Sequence, residues 1–562
     1  MTKVDTILRG GQVINVQSRT IDCMDVGIKD GKIVLGATEA KTIVKLDGAY
    51  IAPGFIDAHM HVESTMLPPT SFAELSLPHG TTAAVFDPHE IANVLGITGI
   101  RLIMDDAKNI PFDAFFAASS CVPASALETS GATLLAEDLE PLFEDERVIA
   151  LAEMMNYPGV IRDDPQVHKK IQMGLRHGKK VDGHCPGLRG KDLLKYIAAG
   201  ISSDHESTTP EEALEKLNAG LQIYIREGSA AKNLEALLPI ITPENAHKIC
   251  FCTDDRHPAD LQEEGHIDHI IRKAIGLGLD PILAICIATK HAADHYELHQ
   301  IGSIEKGKYA NFVVFDDLQC PEPKQTWHHG NLVAENGKTV VNIPQTTDWT
   351  IAKNSVHLPS SLAAQSFEIT GSGTTIRVIG LIQGQLFTEE LHLEPKIEKG
   401  FIVANAKEDI LKMAVIERHH NTGNIGLGFV RGFAFSRGAI ASSVGHDAHN
   451  IAVVGDNDND MFLAAEALQK SQGGQCVVSN GEVLAVLPLP IAGLMSEAPP
   501  EKVICEQHAV LQAIASLGCP LDDPFMPLSF LPLSVIPKLK LSDLGLVDVD
   551  QFTLVPIELS LT

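Results

Sequence analysis

The sequence lacks a surplus of basic residues, a long apolar run and a CxxC cysteine pair, and each absence excludes a class of function. Its 562 residues include 44 Lys or Arg against 72 Asp or Glu, so the formal net charge is −28. Neutralising a phosphate backbone needs a basic face, and acidic surfaces are repelled by anionic membranes. We therefore expect neither nucleic acid nor a membrane as a partner.

Targeting signals are also missing from the sequence. The first ten residues contain no apolar core followed by a small-residue cleavage site, and no apolar run is long enough to span a bilayer. The ten cysteines are scattered, and the closest pair, Cys250 and Cys252, does not form CxxC. Reduced thiols are the simpler interpretation in a chain of this size. We expect a cytoplasmic protein.

The length of the chain and its changing pattern of predicted strands and helices indicate several domains. Short strands and glycine turns occupy residues 1–52 and return over 300–345, which predicts one small β domain built from both flanks. Residues 346–364 gather Pro, Ser and Thr and read as a linker. Residues 365–562 are predicted to form an additional C-terminal α/β domain.

Short apolar strands alternate with amphipathic helices between residues 53 and 299. The predicted strands are 54–59, 81–86, 114–118, 148–154, 181–184, 200–204, 222–226 and 249–253, with helices between them such as 210–217 and 230–238. Eight such units predict an α/β fold with a (β/α)₈ TIM-like barrel. A doubly wound sheet shares this alternation and stays open as an alternative.

The strongest local signal is Asp-Ala-His-Met-His at residues 57–61. Residues i and i+2 of a strand point to the same face, so His59 and His61 present two imidazoles to one point. Both lie at the carboxyl end of the first predicted strand, where barrel enzymes carry their catalytic groups. An isolated pair of this kind would also suit two surface or capping histidines.

Further ligand-type residues follow the later predicted strands. These residues are Glu153, His184, His205 and Asp254. A barrel would bring them and the two histidines to one volume, and mixed imidazoles and carboxylates suit Zn, Mn or Fe(II). A bridging carboxylate holds two such ions close together, so the pattern predicts a two-metal site.

Two further polar clusters have two interpretations each. Glu90, after the second strand, is either a proton shuttle or an outer-shell partner that orients a metal-bound histidine. Its simpler interpretation is a carboxylate that stabilises the start of the helix after it through the dipole. His446, Asp447 and His449 contact metal or substrate if their domain covers the barrel mouth. A polar loop that only packs against the barrel is the simpler interpretation of these three residues, and we favour it.

At this point the sequence resembles a known family. Pro-Gly-Phe-Ile-Asp-Ala-His-Met-His at 53–61 and the segment from residue 302 to 312 are similar to the first strand and the closing segment of the amidohydrolase superfamily. Residues 79–82, 87–96, 152–159, 437–450 and 487–495 resemble the bacterial adenine deaminase family within it. The similarity runs nearly from end to end and includes the C-terminal domain.

The resemblance implies a ligand set. It implies that His59, His61 and Asp254 bind one divalent ion, that His184 and His205 bind a second, and that Glu153 bridges them. Many relatives use a carboxylated lysine as the bridge, but residues 148–157 contain no lysine, which fits the glutamate-bridged variant. Mn²⁺ or Fe²⁺ is expected, with Zn²⁺ as an alternative.

The resemblance also implies an activity, the hydrolytic deamination of adenine to hypoxanthine and ammonia by a metal-activated hydroxide. Asp254 would accept a proton and Glu90 would protonate a ring nitrogen. The residues that contact adenine are not identified, and the habit of the superfamily favours a homo-oligomer. Two alternatives stay open, a cyclic-amide hydrolase of the dihydroorotase or hydantoinase type and an inactive barrel that serves as a binding protein.

Overall fold

The computed structural model describes residues 3–229 and 231–559. Its strands are β1 (Lys3–Asn15), β2 (Thr20–Lys29), β3 (Lys32–Leu35), β4 (Glu39–Lys45), β5 (Tyr50–Pro53), β6 (Phe55–Met60), β7 (Thr81–Phe86), β8 (Asp113–Ala118), β9 (Val148–Met154), β10 (Lys180–Gly183), β11 (Ser203–Asp204), β12 (Gln222–Arg226), β13 (Ile249–Cys252), β14 (Phe312–Phe315), β15 (Gln325–His328), β16 (Asn331–Glu335), β17 (Lys338–Thr339), β18 (Ile369–Thr370), β19 (Ile376–Leu381), β20 (Thr388–Leu393), β21 (Lys396–Glu398), β22 (Phe401–Val403), β23 (Leu411–Ile416), β24 (Ile425–Arg431), β25 (Ala439–Ser442), β26 (Ile451–Gly455), β27 (Gly474–Ser479), β28 (Glu482–Pro488), β29 (Leu539–Ser542), β30 (Gly545–Asp548) and β31 (Thr553–Val555).

The helices lie mostly between the strands of the central segment. They are α1 (Pro69–Ser76), α2 (His89–Leu95), α3 (Ile97–Asp106), α4 (Ala136–Leu139), α5 (Tyr157–Ile161), α6 (Pro165–Arg176), α7 (Gly190–Ala198), α8 (Pro210–Ala219), α9 (Leu234–Leu237), α10 (Pro258–Glu263), α11 (Ile267–Gly276), α12 (Pro281–Cys286), α13 (Ala292–His295), α14 (Asp458–Ser471), α15 (Pro500–Ser516) and α16 (Phe525–Phe530). None of those within the described ranges combines the length and the apolar character needed to cross a membrane.

The central strands are parallel and lie in two sheets. In the described part of the chain, β6 to β10 form a five-stranded sheet and β11 to β13 a three-stranded one. The sheets approach each other at both edges. The amide of Ser202 donates to the carbonyl of Val181 over 2.9 Å, and the amide of Asp254 donates to the carbonyl of His59 over 3.1 Å. The predicted α/β alternation is therefore present.

The central strands are buried along most of their length. Every residue of β6 and of β7 is buried, as expected for parallel strands that are covered on both faces. Local signals set the helices around them. In α8 the Thr209 side chain caps the start by accepting from the Glu212 amide, and Gly220 ends the helix with φ 114°. These strands position the groups that follow their carboxyl ends.

One predicted helix is wrong in extent. The sequence predicts a helix over 230–238, but the structure has α9 only at Leu234–Leu237, and residue 230 lies outside the described residues. Glu227 and Lys232 form an isolated antiparallel bridge, and the Glu227 carboxylate accepts from the amide of Leu234 over 3.0 Å. A bridge before residue 234 prevents the helix from starting earlier.

Strands from both flanks of the chain form one sheet. Its order is β17-β16-β15-β14-β5-β1-β2-β3, with β4 paired to β1. The join is β5, which pairs in parallel with β1 and antiparallel with β14, where Ala52 is opposite Val313. Since β6 follows directly after β5, this sheet anchors the first strand of the central segment.

The C-terminal part has its own sheet and cores. Its eight-stranded sheet runs β20-β19-β24-β23-β26-β25-β27-β28 within the described residues. The helix predicted at 459–471 is α14, where the Asn457 side chain caps the first turn by accepting from the Asp460 amide. The segment 346–364 before this part is packed rather than loose, because Trp349, Ala352 and Val356 are buried.

Candidate active site

The first predicted pair of histidines lies at the carboxyl end of β6. The Nε2 atoms of His59 and His61 lie 3.4 and 3.1 Å from the same atom, Oδ1 of Asp254 after β13. The other ring nitrogen of His61 is 2.9 Å from the carbonyl of Asp87, which fixes the ring with Nε2 toward the cluster. The period-two spacing therefore converges as the sequence predicts.

Glu153, at the end of β9, lies between two groups of imidazoles. Its Oε1 is 3.6 Å from Nε2 of His59 and 3.3 Å from Nε2 of His61. Its Oε2 is 2.7 Å from Nδ1 of His184 and 3.2 Å from Nε2 of His205. Each carboxylate oxygen thus faces a different histidine pair. This is the geometry of a carboxylate that bridges two cations.

The unsatisfied atoms in this cluster fit bound cations. Four buried atoms have no hydrogen-bond partner among residues 3–229 and 231–559, although ligand-type atoms surround them: Nε2 of His59, Nε2 of His184, Nδ1 of His89 and Oδ2 of Asp87. Buried polar atoms without partners are costly and rare. Several triplets of the cluster have their ligand atoms within 4.8 Å of one another. The residues present therefore fit divalent metal ions.

The carboxylates of the cluster stay ionised despite being buried. Burial opposes the charge of Glu153, but His205 and His184 hold its pKa well below the usual value. Burial also opposes the charge of Asp254, but the guanidinium of Arg226 holds the pKa of Asp254 well below the usual value. Ionised carboxylates are what a metal site requires, because ligands bind in their deprotonated form.

Two residues of the site were missed by the sequence analysis. Nδ1 of His89, in the first turn of α2, lies 3.6 Å from Oε1 of Glu153. Arg226, at the end of β12, donates to Oδ2 of Asp254 over 2.6 Å and also contacts Glu206. Both lie at or just after the carboxyl end of a central strand, as the predicted ligands do. That position in the sequence is the feature from which both could have been predicted as site residues.

Glu90 does not cap the helix that contains it. The amide of Ile91 in the first turn of α2 donates to Oε1 of Glu63 over 3.1 Å. The Glu90 carboxylate turns away and contacts His446 at 2.7 Å and His449 at a shorter distance. Burial opposes its charge, yet His446 and His449 hold the pKa of Glu90 well below the usual value. Its place in the first turn of α2 still suits stabilisation of that helix through the dipole, so each role of Glu90 stays a prediction.

The C-terminal part closes the space above the cluster. A cavity of about 290 Å³ is lined by His61, Glu153, His205 and Asp254 from the central segment and by His446 and Asp447 from the C-terminal part. The loop with these last two residues therefore does more than pack against the central segment.

Buried imidazoles and carboxylates at the carboxyl ends of parallel strands are typical of metal-dependent hydrolases. Two family models match the chain, that of the amidohydrolase family over residues 50–340 and that of the adenine deaminase C-terminal domain over residues 385–553. The chain therefore belongs to the amidohydrolase family and, within it, to the group that carries the adenine deaminase C-terminal domain.

Curated relatives match along nearly the whole chain. The adenine deaminase of Desulfatibacillum aliphaticivorans is 45% identical over 554 residues, which cover 98% of this chain and 97% of that protein. Adenine deaminase 2 of Carboxydothermus hydrogenoformans is 44% identical, with 99% and 97% covered. Among solved structures, one of an adenine deaminase is 18% identical with a TM-score of 0.44, and it covers 59% of this chain and 100% of its own.

Proposed function

We propose that this hydrolase converts adenine and water to hypoxanthine and ammonia. The observation that carries the hydrolytic part is Glu153, whose two carboxylate oxygens face two different histidine pairs. Adenine as the substrate is supported by the curated relatives, which are named adenine deaminases and are 41–45% identical over nearly the full length. The lining combines ionisable groups with apolar side chains, as expected of a site for a small polar heterocycle.

The proposed ligands divide into two sets. His59, His61 and Asp254 would hold one ion, His184 and His205 the other, and Glu153 would bridge them. Manganese or iron is the proposed metal, with zinc as the alternative, because all three accept imidazole together with carboxylate. When bound, such a pair lowers the pKa of a shared water and makes hydroxide available at neutral pH.

The chain's own residues would supply orientation and proton transfer. Arg226 fixes one oxygen of Asp254 with a 2.6 Å hydrogen bond, which leaves Oδ1 turned toward the two histidines of β6. From there Asp254 would accept the proton of the attacking water and return it to the leaving amino group. Glu90, whose carboxylate is ionised, would accept the other proton of that water and pass it to a ring nitrogen, and the imidazole of His446 beside it would hold that carboxylate in place.

The architecture that we propose is a closed (β/α)₈ barrel. It is supported by the hydrogen bonds between β10 and the start of β11 and between β6 and the residue after β13. The proposed domains are the small β domain at 1–52 and 300–345, the barrel at 53–299, a linker at 346–364 and the C-terminal domain at 365–562. We further propose that the protein is cytoplasmic and forms a homo-oligomer. Its net charge of −28 supports a protein that binds neither nucleic acid nor a membrane.

The test is metal content measured together with turnover. Protein produced in manganese-supplemented medium should contain two ions per chain and release ammonia and hypoxanthine from adenine in equal amounts. Dihydroorotate, incubated in parallel, should not be consumed. Ring opening of dihydroorotate without ammonia release from adenine would favour the cyclic-amide hydrolase. Well under one ion per chain, with no turnover, would favour the inactive binding protein.

A further inference from the structure

The cavity beside the cluster has a lining of two chemical kinds. The central segment supplies most of its ionisable groups, which are the metal-ligand cluster with Glu90 and Arg226. The C-terminal part supplies most of its apolar lining, through Leu386, Phe530, Leu533 and Ile536. All four apolar residues fall within the range 385–553 that matches the adenine deaminase C-terminal domain. We call these four residues the apolar wall.

The apolar wall is held rigidly. Lys540, which is fully buried, donates from Nζ to the carbonyls of both Leu386 and Phe530 over 3.0 Å. Phe530 also stacks on the ring of His446, with centroids 4.2 Å apart and an interplanar angle of 5°. Phe530, Leu533 and Ile536 belong to the same hydrophobic cluster as the central strands. The wall is therefore part of the core that joins the two parts of the chain.

Its attachment to the central segment is polar as well. The hydroxyl of Ser534, which directly follows Leu533 of the apolar wall, is 2.6 Å from the hydroxyl of Ser125. Asp543, a few residues later, accepts from the amide of Thr129 over 2.9 Å. These contacts fix the distance between the wall and the cluster. A fixed slot of this kind costs a ligand little ordering free energy on binding.

One polar atom of the C-terminal part stands unsatisfied at this cavity. Oδ2 of Asp447 is buried and has no hydrogen-bond partner among the described residues, and its nearest ionic neighbour is Nε2 of His89 at 3.8 Å. A buried acceptor without a partner is costly, and an N–H group of a ligand would remove that cost. Flat aromatic bases offer such groups at their edges and apolar surface on their faces.

We propose that the C-terminal domain builds the binding site for the base: Phe530, Leu533 and Ile536 contact the flat face of a purine above the cluster, and Asp447 accepts a hydrogen bond from an N–H group at its edge. This inference rests on the proposed function and names the binding site within it. It assigns to the C-terminal domain the recognition of the heterocycle, while the central segment carries the chemistry.

The test compares matched phenylalanines in the manganese-loaded full-length enzyme. Phe530→Leu removes the ring from the wall, and Phe429→Leu removes an equally buried ring from the C-terminal core away from the cavity. We expect Phe530→Leu to raise KM for adenine and the dissociation constant of hypoxanthine roughly three- to tenfold, the size of one aromatic contact. Its metal content should match that of wild type, because Phe530 is not among the proposed ligands. Phe530→Tyr, which keeps the ring, should restore KM.

The edge contact is tested by Asp447→Ala against Asp447→Asn, since the amide keeps an acceptor oxygen. The alanine variant should weaken hypoxanthine binding about tenfold or more, and the asparagine variant much less. Equal effects of Phe530→Leu and Phe429→Leu, or unchanged binding in Asp447→Ala, would overturn the inference while wild-type turnover of adenine stands. A wild-type enzyme that fails to deaminate adenine would instead overturn the proposed function, and hypoxanthine titration of the same variants still decides the binding site.

Discussion

Oε1 of Glu90, in the first turn of α2, lies 2.7 Å from Nδ1 of His446 in the C-terminal part. Burial opposes the charge of His446, but Glu90 raises its pKa to about 9, so the two groups form a buried ion pair. The pair joins the central segment to the C-terminal part directly beside the cluster. A change at either residue should therefore affect turnover and, because it strands the other charge in the interior, stability as well.

For Glu90, the expected result of Glu90→Gln is a fall in kcat of about 10²–10⁴-fold, because general acid–base catalysis contributes that much. The amide fills the same space but carries no transferable proton at neutral pH. Steady-state kinetics with metal analysis of the same preparation measures the effect. Glu63→Gln is the control, since the amide oxygen can still accept from the Ile91 amide. Equal losses in both variants would assign Glu90 a structural role.

For Glu153, the change Glu153→Gln should remove the bridge between the two histidine pairs. We expect a loss of metal affinity larger than the 10–100-fold that is typical of outer-shell partners. Metal content after dialysis against a dilute chelator measures it. Glu128→Gln is the matched control, because Glu128 is also a buried glutamate but contacts the hydroxyl of Ser534. Retention of both ions by Glu153→Gln would exclude Glu153 as the bridge.

Lys216 should contribute strongly to stability. Its ammonium is fully buried and contacts the carbonyl of Cys185 at 2.8 Å, Asp204 at 2.9 Å and Glu212 at 2.7 Å. Lys216→Met leaves two buried carboxylates unpaired, which costs about 3–5 kcal/mol of unfolding free energy. Thermal unfolding measures the loss.

Lys170→Met is the control for that comparison. Lys170 is another buried lysine, and its ammonium donates to the carbonyl of Ser120 over 2.7 Å. Lys170→Met should lower the melting temperature much less than Lys216→Met does, because the loss of Lys170 leaves no buried carboxylate without its partner. A similar fall in both variants would mean that the Lys216 ion pairs add nothing beyond a hydrogen bond.

Lys540 should make stability depend on pH. Burial lowers the pKa of this lysine to about 7, whereas a lysine in an unfolded chain titrates near 10.4. Between these values the unfolded chain binds a proton that the folded protein does not, so stability rises with pH by about 1.4 kcal/mol per pH unit. Below about pH 7 this gain is absent.

Melting temperatures of wild type and Lys540→Met between pH 6 and 10 test that dependence. The difference between wild type and variant should shift in favour of wild type as the pH rises. A difference that is constant across this range would show that Lys540 titrates as an ordinary lysine in the folded protein.

Much of the site could be predicted because its residues follow a simple positional rule. His59, Glu153, His205 and Asp254 each stand at the carboxyl end of a strand that the apolar pattern delimits, and the bounds of β7, β9 and β12 agree with the prediction to the residue. Parallel strands that are mostly buried give nearly continuous apolar runs, whose limits can be recognised in the sequence. The positions of their ends then follow.

Contacts across long stretches of sequence could not be predicted. Asp447 and Phe530 reach the cavity only because the C-terminal part docks on the central segment, and no local pattern encodes that docking. The sequence predicts only that Arg226 ends a strand, because its role depends on the carboxylates of Asp254 and Glu206 that the fold brings beside it. The short α9 shows the same limit, because an isolated bridge overrides the local helical pattern.

The sheet built from both flanks has a consequence for biosynthesis. β5 is an inner strand of the finished sheet, but its partner β14 is made only when residues 312–315 have been translated. At about 5–20 residues per second, the ribosome leaves that edge open for roughly tens of seconds. An open strand edge is a template for wrong pairing. The nascent chain therefore needs shielding at residues 50–53 until the central segment is complete.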